Sequence, residues 1–230
     1  MASEFDAYAE KYEALLHDPI RDAFTADSEF FHARKLDLLL GYLRRNGKYA
    51  SELAWLDLGC GKGKLLTMGA KNFLSAAGCD VSPAMLSESA GVQVRIQKRA
   101  SEIPFPSENF DLVTAVCVYH HVEKQERAAL TEEARRVLKP GGFFVIVEHN
   151  PYNPATQLIV RRCPVDVDAK LLTASESRRL QLTEGFKHVS TEFFLYFPAR
   201  LYGRFGRSEA FLRWLPLGGQ YASFARKETR

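Results

Sequence analysis

The chain lacks the marks of several large protein classes. Only four cysteines, Cys60, Cys79, Cys117 and Cys163, are spread over 230 residues. None forms a Cys-x-x-Cys pair and none has a nearby histidine at zinc-ligand spacing, so neither a disulfide framework nor a metal site is expected. They read as buried free thiols in a reducing compartment. No apolar run approaches the ~18 residues that span a bilayer, so no stable membrane insertion is expected. The polar start, Ser3, Glu4 and Asp6, has neither a basic stretch nor an apolar one behind it, so no secretory leader is expected and the cytoplasm is the expected compartment. The formal net charge is only +3. Nucleic-acid binders need dense Lys/Arg stripes to neutralise phosphates, so that class is set aside. Internal repeats and low-complexity tracts are lacking too.

What remains is an ordinary globular composition, 46% hydrophobic and 26% charged, in a chain long enough for one sizeable α/β core. Residues 1–50 read as helical, with Phe5, Tyr8, Tyr12, Leu15 and Leu16 on one periodicity. Phe31, Leu36, Leu39, Leu40 and Leu43 follow on another, stopped at Asn46-Gly47. Short apolar strands are then expected at 54–58, 76–80, 92–96, 111–116 and 143–147. The intervening segments read as helices, from about Lys62 to Asn72, from Ser82-Pro83, and from about Lys124 to Leu138. Strands alternating with helices mean βαβ crossovers and a mostly parallel sheet. Thr173 and Glu176 have capping-box spacing for a helix that stops at Gly185. Two more strands, 186–197 and 221–226, flank an insertion at 198–217.

The chemistry begins after the first strand, at Asp57-Leu58-Gly59-Cys60-Gly61-Lys62-Gly63. Glycines there let backbone approach a ligand, and the next helix offers its positive end. A dinucleotide site wants Gly-x-Gly-x-x-Gly, but position 64 is Lys64, which argues against a nicotinamide cofactor. Asp80 ends the second strand, where an acid accepts hydrogen bonds from both ribose hydroxyls.

Four ordered strings carry a resemblance: Trp55 to Gly63, Gly78 to Leu86, Glu102 to Asp111, and Arg136-Val137-Leu138-Lys139-Pro140-Gly141-Gly142. Together they resemble class I S-adenosylmethionine-dependent methyltransferases of the small-molecule and quinone type, over about residues 54–147. The resemblance implies a Rossmann-like three-layer αβα sandwich with a seven-stranded, mostly parallel sheet and an antiparallel last strand. It implies S-adenosyl-L-methionine as cofactor. Gly59, Cys60 and Gly61 would run against its methionine part, and Asp57 would orient the loop or meet the amino group. Asp80 would take the ribose diol, Val81 would pack on adenine, and Cys117 would lie near the sulfonium. Tyr8 and Tyr12 sit in a segment similar to the family's N-terminal lid, although core packing accounts for them equally well. The family's adenine-binding acid is replaced by Arg99, which cannot accept that hydrogen bond. Adenine recognition then falls to Ser101 or to backbone groups around Ala100.

Catalytic candidates are His120 and His121, after the fourth strand, and His149, after the fifth. Both loops lie on the edge where such sheets bind ligands. Each histidine is either a base for an acceptor hydroxyl or an anchor of its loop; alignment alone supplies much of a methyl transfer. Asn150-Pro151-Tyr152 superficially matches a nucleobase-methylating motif. That motif belongs after the fourth strand, so the nucleobase reading is rejected. The aromatic and basic segment from Phe193 to Trp214 either caps a lipid-like or phosphate-bearing acceptor, or touches a membrane surface, or is a connector helix with a solvated arginine face.

The expected organisation is a single domain: a helical lid at 1–50, a cofactor-binding core at 54–147, and acceptor-pocket segments with the last two strands at 148–230. The expected reaction is methyl transfer to a small molecule, oxygen favoured over nitrogen or carbon, by a monomer or homodimer. The alternatives are a nicotinamide-dependent oxidoreductase and a non-catalytic cofactor-binding partner.

Overall fold

The computed structural model describes residues 4–25, 27–87, 89 and 91–229. Ser3, part of the polar start noted above, lies outside them. Seven strands form one sheet: β1 (Ala54–Leu58), β2 (Ser75–Asp80), β3 (Gln93–Ile96), β4 (Phe110–Val116), β5 (Leu138–His149), β6 (Phe186–Phe194) and β7 (Gln220–Lys227). Their order is β3-β2-β1-β4-β5-β7-β6. The first five pair in parallel, and β7 runs antiparallel to both β5 and β6. This is the expected seven-stranded sheet, with its antiparallel last strand.

The helices in chain order are α1 (Tyr12–Leu15), α2 (Pro19–Phe24), α3 (Ser28–Arg45), α4 (Lys64–Gly69) and α5 (Pro83–Leu86). After them come α6 (Arg127–Val137), α7 (Pro154–Arg162), α8 (Ala174–Thr183), α9 (Ala199–Phe205) and α10 (Glu209–Leu212). Strand alternation sends neighbouring side chains to opposite faces, and both faces are apolar. Leu56, Val113, Phe144 and Ile146 pack with Leu130, Ala134 and Val137 of α6. Trp55, Leu112, Phe143 and Val145 pack with Leu39 and Leu43 of α3 and with Leu65 and Leu66 of α4. Three layers result.

Several boundaries depart from the periodicity. Gly63 takes φ 70°, so the helix after the glycine turn begins at Lys64 and not at Lys62. Residues 139–142 do not end the fold of α6 as a free turn. They bulge out of β5, whose register against β4 jumps between Phe110–Leu138 and Leu112–Phe143. The first lid segment is not one helix. It is two 3-10 turns, Glu4–Ala7 and Ala9–Lys11, followed by the single turn of α1. The Thr173–Glu176 capping box forms in full.

One hydrogen-bond chain ties the sheet to the edge where strands end. The indole Nε1 of Trp55 donates to Thr114 Oγ1 at 2.8 Å, and that hydroxyl donates to Asp57 Oδ1 at 2.7 Å. All three side chains are buried. Thr114→Val should therefore cost about 1–3 kcal/mol, because it strands a buried indole N–H and removes a donor from Asp57. Urea unfolding of the two proteins measures it; a loss below a few tenths of a kcal/mol would show that the chain carries no stability.

Candidate active site

Between β1 and β4 the strand order reverses direction, and their carboxyl ends open a crevice. A cavity of about 580 Å³ fills it, a size ordinary for a small-molecule site. Its walls divide into two poles.

The first pole is built mainly from backbone. Gly59, Gly61 and Gly63 all have positive φ, at 67°, 52° and 70°. At Gly59 a Cβ would lie 2.5 Å from Val118 Cγ2, so a side chain is excluded. At Gly61 a Cβ would meet nothing within 4 Å among the described residues, and its N–H donates to Asp80 Oδ2 at 2.8 Å. The Cys60 thiol turns away beneath the sheet, where a Cβ on Gly78 would come within 2.6 Å of it. Burial pushes that thiol's pKa up, so Cys60 offers the site its backbone and no nucleophile. The other Asp80 oxygen accepts from Ser82 N–H at 2.8 Å. A carboxylate at this strand end is the group that can accept from a ribose diol. Val81, Met85 and Ala100 lie on the same wall.

Ser101 is not on that wall. Gln97, which the sequence did not single out, is. Its N–H donates to Asp80 O at 2.8 Å, and its side-chain amide donates to Ala100 O at 2.6 Å. Asp57 also faces the cavity. Burial raises its carboxyl to about 7, against the donor hydroxyl of Thr114 and the charge of Lys35, which both favour ionisation. Lys35 is a buried cation on the cavity wall, from α3. Nothing in its local sequence marks it out, because it simply occupies one step of a helical face.

The second pole is built from side chains. At the end of β4 the chain turns through Cys117 at φ 57°. The turn presents His120 and His121, while β5 ends in Glu148 and His149. Glu148 is fully buried; it accepts from Tyr119 N–H at 2.8 Å and pairs with His120 Nδ1. The 3-10 turn Pro164–Asp166 brings Asp166 to the same place. Its Oδ1 lies 3.5 Å from His120 Nε2 and 3.4 Å from His121 Nε2. Burial opposes the charge on His120, but Glu148 and Asp166 outweigh it and raise its pKa well above the ordinary value. Burial likewise opposes Asp166, and the two imidazoles outweigh it downward. With Nδ1 paired to Glu148 and Nε2 turned toward Asp166, His120 holds its loop in place. His121 keeps more access to the cavity, with the Phe5 ring set edge-on against it at 5.0 Å.

His149 lies further in, its ring 5.3 Å from that of His120. Gln220 Nε2 stands 3.5 Å from both His149 Nδ1 and Cys117 Sγ. Burial works against a Cys117 thiolate, yet Lys35 and His149 outweigh it and lower the thiol's pKa.

The N-terminal segment closes the crevice. Ser82 Oγ donates to Asp6 Oδ1 at 2.6 Å, and Lys64 Nζ meets Glu13 Oε1 at 2.7 Å. Tyr12 and Phe5 line the cavity, whereas Tyr8 does not. Asn153, Thr156 and Ile159 supply another wall. From the aromatic and basic segment Phe193 to Trp214, Leu195 and Tyr196 reach it, as does Leu217 just beyond. Tyr202 packs against Phe30 and under the Arg34 guanidinium, whereas Phe205, Phe211 and Trp214 are exposed.

Residues 56–146 match the family model described as a methyltransferase domain. An uncharacterized methyltransferase of Synechocystis sp. is 34% identical over 103 residues, 43% of this chain and 48% of that one. The 27-O-demethylrifamycin SV methyltransferase of Amycolatopsis mediterranei is 31% identical over 157 residues, 62% of this chain and 55% of that one. The chain spans about half the length of these two relatives. A crystal structure of a SAM-dependent methyltransferase from Archaeoglobus fulgidus superposes with a TM-score of 0.62 at 21% identity, over 87% of this chain and 100% of that one. At that identity the likeness is one of fold. No helix among the described residues is long and apolar enough to cross a membrane.

The raised carboxyl of Asp57 has a consequence for stability. Its ordinary value of 3.8 holds in the unfolded chain, so folding favours the protonated form up to about pH 7. The stability this contributes is fully present below pH 3.8 and is lost as pH rises to about 7. Asp57→Asn, which keeps the acceptor for Thr114, should therefore melt higher than wild type at pH 8, with the gap shrinking toward pH 5. Thermal melts across that range test it; a gap independent of pH would exclude a raised Asp57.

Proposed function

With residues 56–146 forming a methyltransferase domain of the class I S-adenosylmethionine-dependent family, we propose that the chain moves a methyl group to an oxygen of a small, largely apolar acceptor. The observation that carries this reading is that one cavity holds both poles, the glycine turn with Asp80 and the His121–Asp166 pair. The donor, when bound, supplies an electrophilic sulfonium methyl and needs little covalent help. This chain's residues bind, align and keep water out.

Asp80 takes the ribose diol, Val81 and Met85 flank the adenine, and Gln97 with the backbone at Ala100 edges it. Gly59, Cys60 and Gly61 pass the methionine part, with Asp57 toward its amino group and Lys35 toward its carboxylate. The acceptor lies toward Leu16, Ile20, Phe24, Phe31 and Ile159, an apolar wall that favours an apolar molecule. Its reacting hydroxyl meets the second pole. There the His121–Asp166 pair activates it, and His120 and Glu148 fix the loop that carries the pair. An unactivated hydroxyl is a poor nucleophile, whereas a neutral amine needs no such group; this favours oxygen over nitrogen. The relative from Amycolatopsis is, by its name, specific to an oxygen position, in agreement with this choice.

The test is turnover of methyl-labelled S-adenosylmethionine with a panel of apolar phenols, alcohols and amines. Label should pass to a hydroxyl compound with S-adenosylhomocysteine as coproduct. Asp80→Ala should weaken donor binding at least tenfold, and His121→Ala should lower kcat about 10²–10⁴-fold with donor binding retained. Donor binding unaffected by Asp80→Ala, or label appearing only on amines, would overturn the reading.

A further inference from the structure

His120, His121 and Asp166 come from two segments with no sequence motif between them. Their ligand-capable atoms nevertheless all lie within 4.8 Å of one another on the cavity wall. The two N–O separations, 3.5 Å and 3.4 Å, are too long for well-formed hydrogen bonds. They match another geometry. Tetrahedral ligands bound at about 2.0–2.1 Å stand roughly 3.3–3.4 Å apart. We propose that His120, His121 and Asp166 bind a divalent first-row transition metal of the zinc class, with the position facing the cavity left open for the acceptor oxygen.

Three independent features fit. Two imidazoles and one carboxylate are a borderline-soft donor set that suits zinc and its neighbours and disfavours magnesium. Glu148 occupies Nδ1 of His120, the carboxylate–histidine arrangement that fixes the tautomer and leaves Nε2 to point at a metal. Three protein ligands beside a cavity are the pattern of a catalytic site with an open position, not of a closed structural one. The cysteine spacings that speak against a zinc centre do not bear on this set, which contains no cysteine.

The use of the metal rests on the methyl-transfer reading; its binding does not. His121 and Asp166 then act on the acceptor as ligands of the metal and not as a base: coordination lowers the pKa of its hydroxyl, whose proton passes to water. The oxygen's lone pair then forms the new O–C bond while the S–C bond of the donor breaks and its electron pair returns to sulfur. An acceptor that binds through a single hydroxyl oxygen fits the one open position of such a site.

The full chain, stripped with a chelator, is titrated with zinc against a chromogenic competitor, and S-adenosylmethionine binding is measured on the same preparation. Wild type should take one equivalent of zinc that millimolar magnesium does not displace. Asp166→Asn and His121→Gln should each weaken zinc at least tenfold while still binding S-adenosylmethionine, which shows that they fold. Cobalt(II) should give the intense visible bands of a tetrahedral site in wild type and lose them in both variants. If wild type binds S-adenosylmethionine but no zinc, or if both variants bind zinc as wild type does, the metal site is overturned and the methyl-transfer reading stands. If zinc binds and the variants lose it, but S-adenosylmethionine does not bind, the metal site stands and the methyl-transfer reading fails.

Discussion

A carboxylate cut off from water must find its partners inside the fold, and Glu148 is such a carboxylate. It takes the Tyr119 N–H and the His120 ring. Those two contacts join the end of β5 to the loop after β4. His120 passes the constraint on, since its other nitrogen faces Asp166 on the Pro164–Asp166 turn. Strand end, loop and turn therefore hold together as one unit. Removing either partner would leave a charge buried alone, which costs far more than an exposed ion pair is worth.

The donor pole rests on different physics. Its groups are mostly backbone, aimed by positive φ at Gly59, Gly61 and Gly63. Side chains act there by holding backbone in place. Asp80 pins Gly61 and Ser82, and Asp57 is held through Thr114 and Trp55. The two poles meet where Cys117 turns out of β4 beside Val118, whose methyl groups cover the face of Gly59. The geometry between the two poles is thus fixed by strand register, not by flexible side chains. An in-line transfer gains its rate from such alignment.

Closure comes from the least regular part of the chain. The first lid segment forms only short turns, yet Asp6 grips Ser82 and the backbone N–H of Ala84 at the start of α5, and Glu13 reaches Lys64 at the start of α4. Both anchors lie at helix starts on the donor pole. The N-terminal segment therefore covers the glycine-turn pole while setting Phe5 on His121. A site dry enough to raise the Asp57 carboxyl to about 7 is one in which charge on a ligand counts strongly.

The sequence by itself determined the succession of seven strands, the helices that cross between the parallel ones, the glycine turn, Asp80, and the loops that carry His120, His121 and His149. These follow local rules: alternation, capping, and the φ that only glycine adopts without strain. The exact start of α4 and the bulge at 139–142 escaped it, because Gly63 and the β4–β5 register override periodicity there. Lys35, Gln97, Asp166 and Gln220 were also illegible. Each is an unremarkable polar residue in its own segment, and its meaning lies in a neighbour far along the chain. Only the tertiary structure decided that Asp166 meets two imidazoles, that Ser101 misses the cavity wall, and that Tyr202 of the aromatic insertion packs on α3. Local chemistry sets what each segment can be; crossover and register set which segments share a cavity, and no short-range rule encodes that.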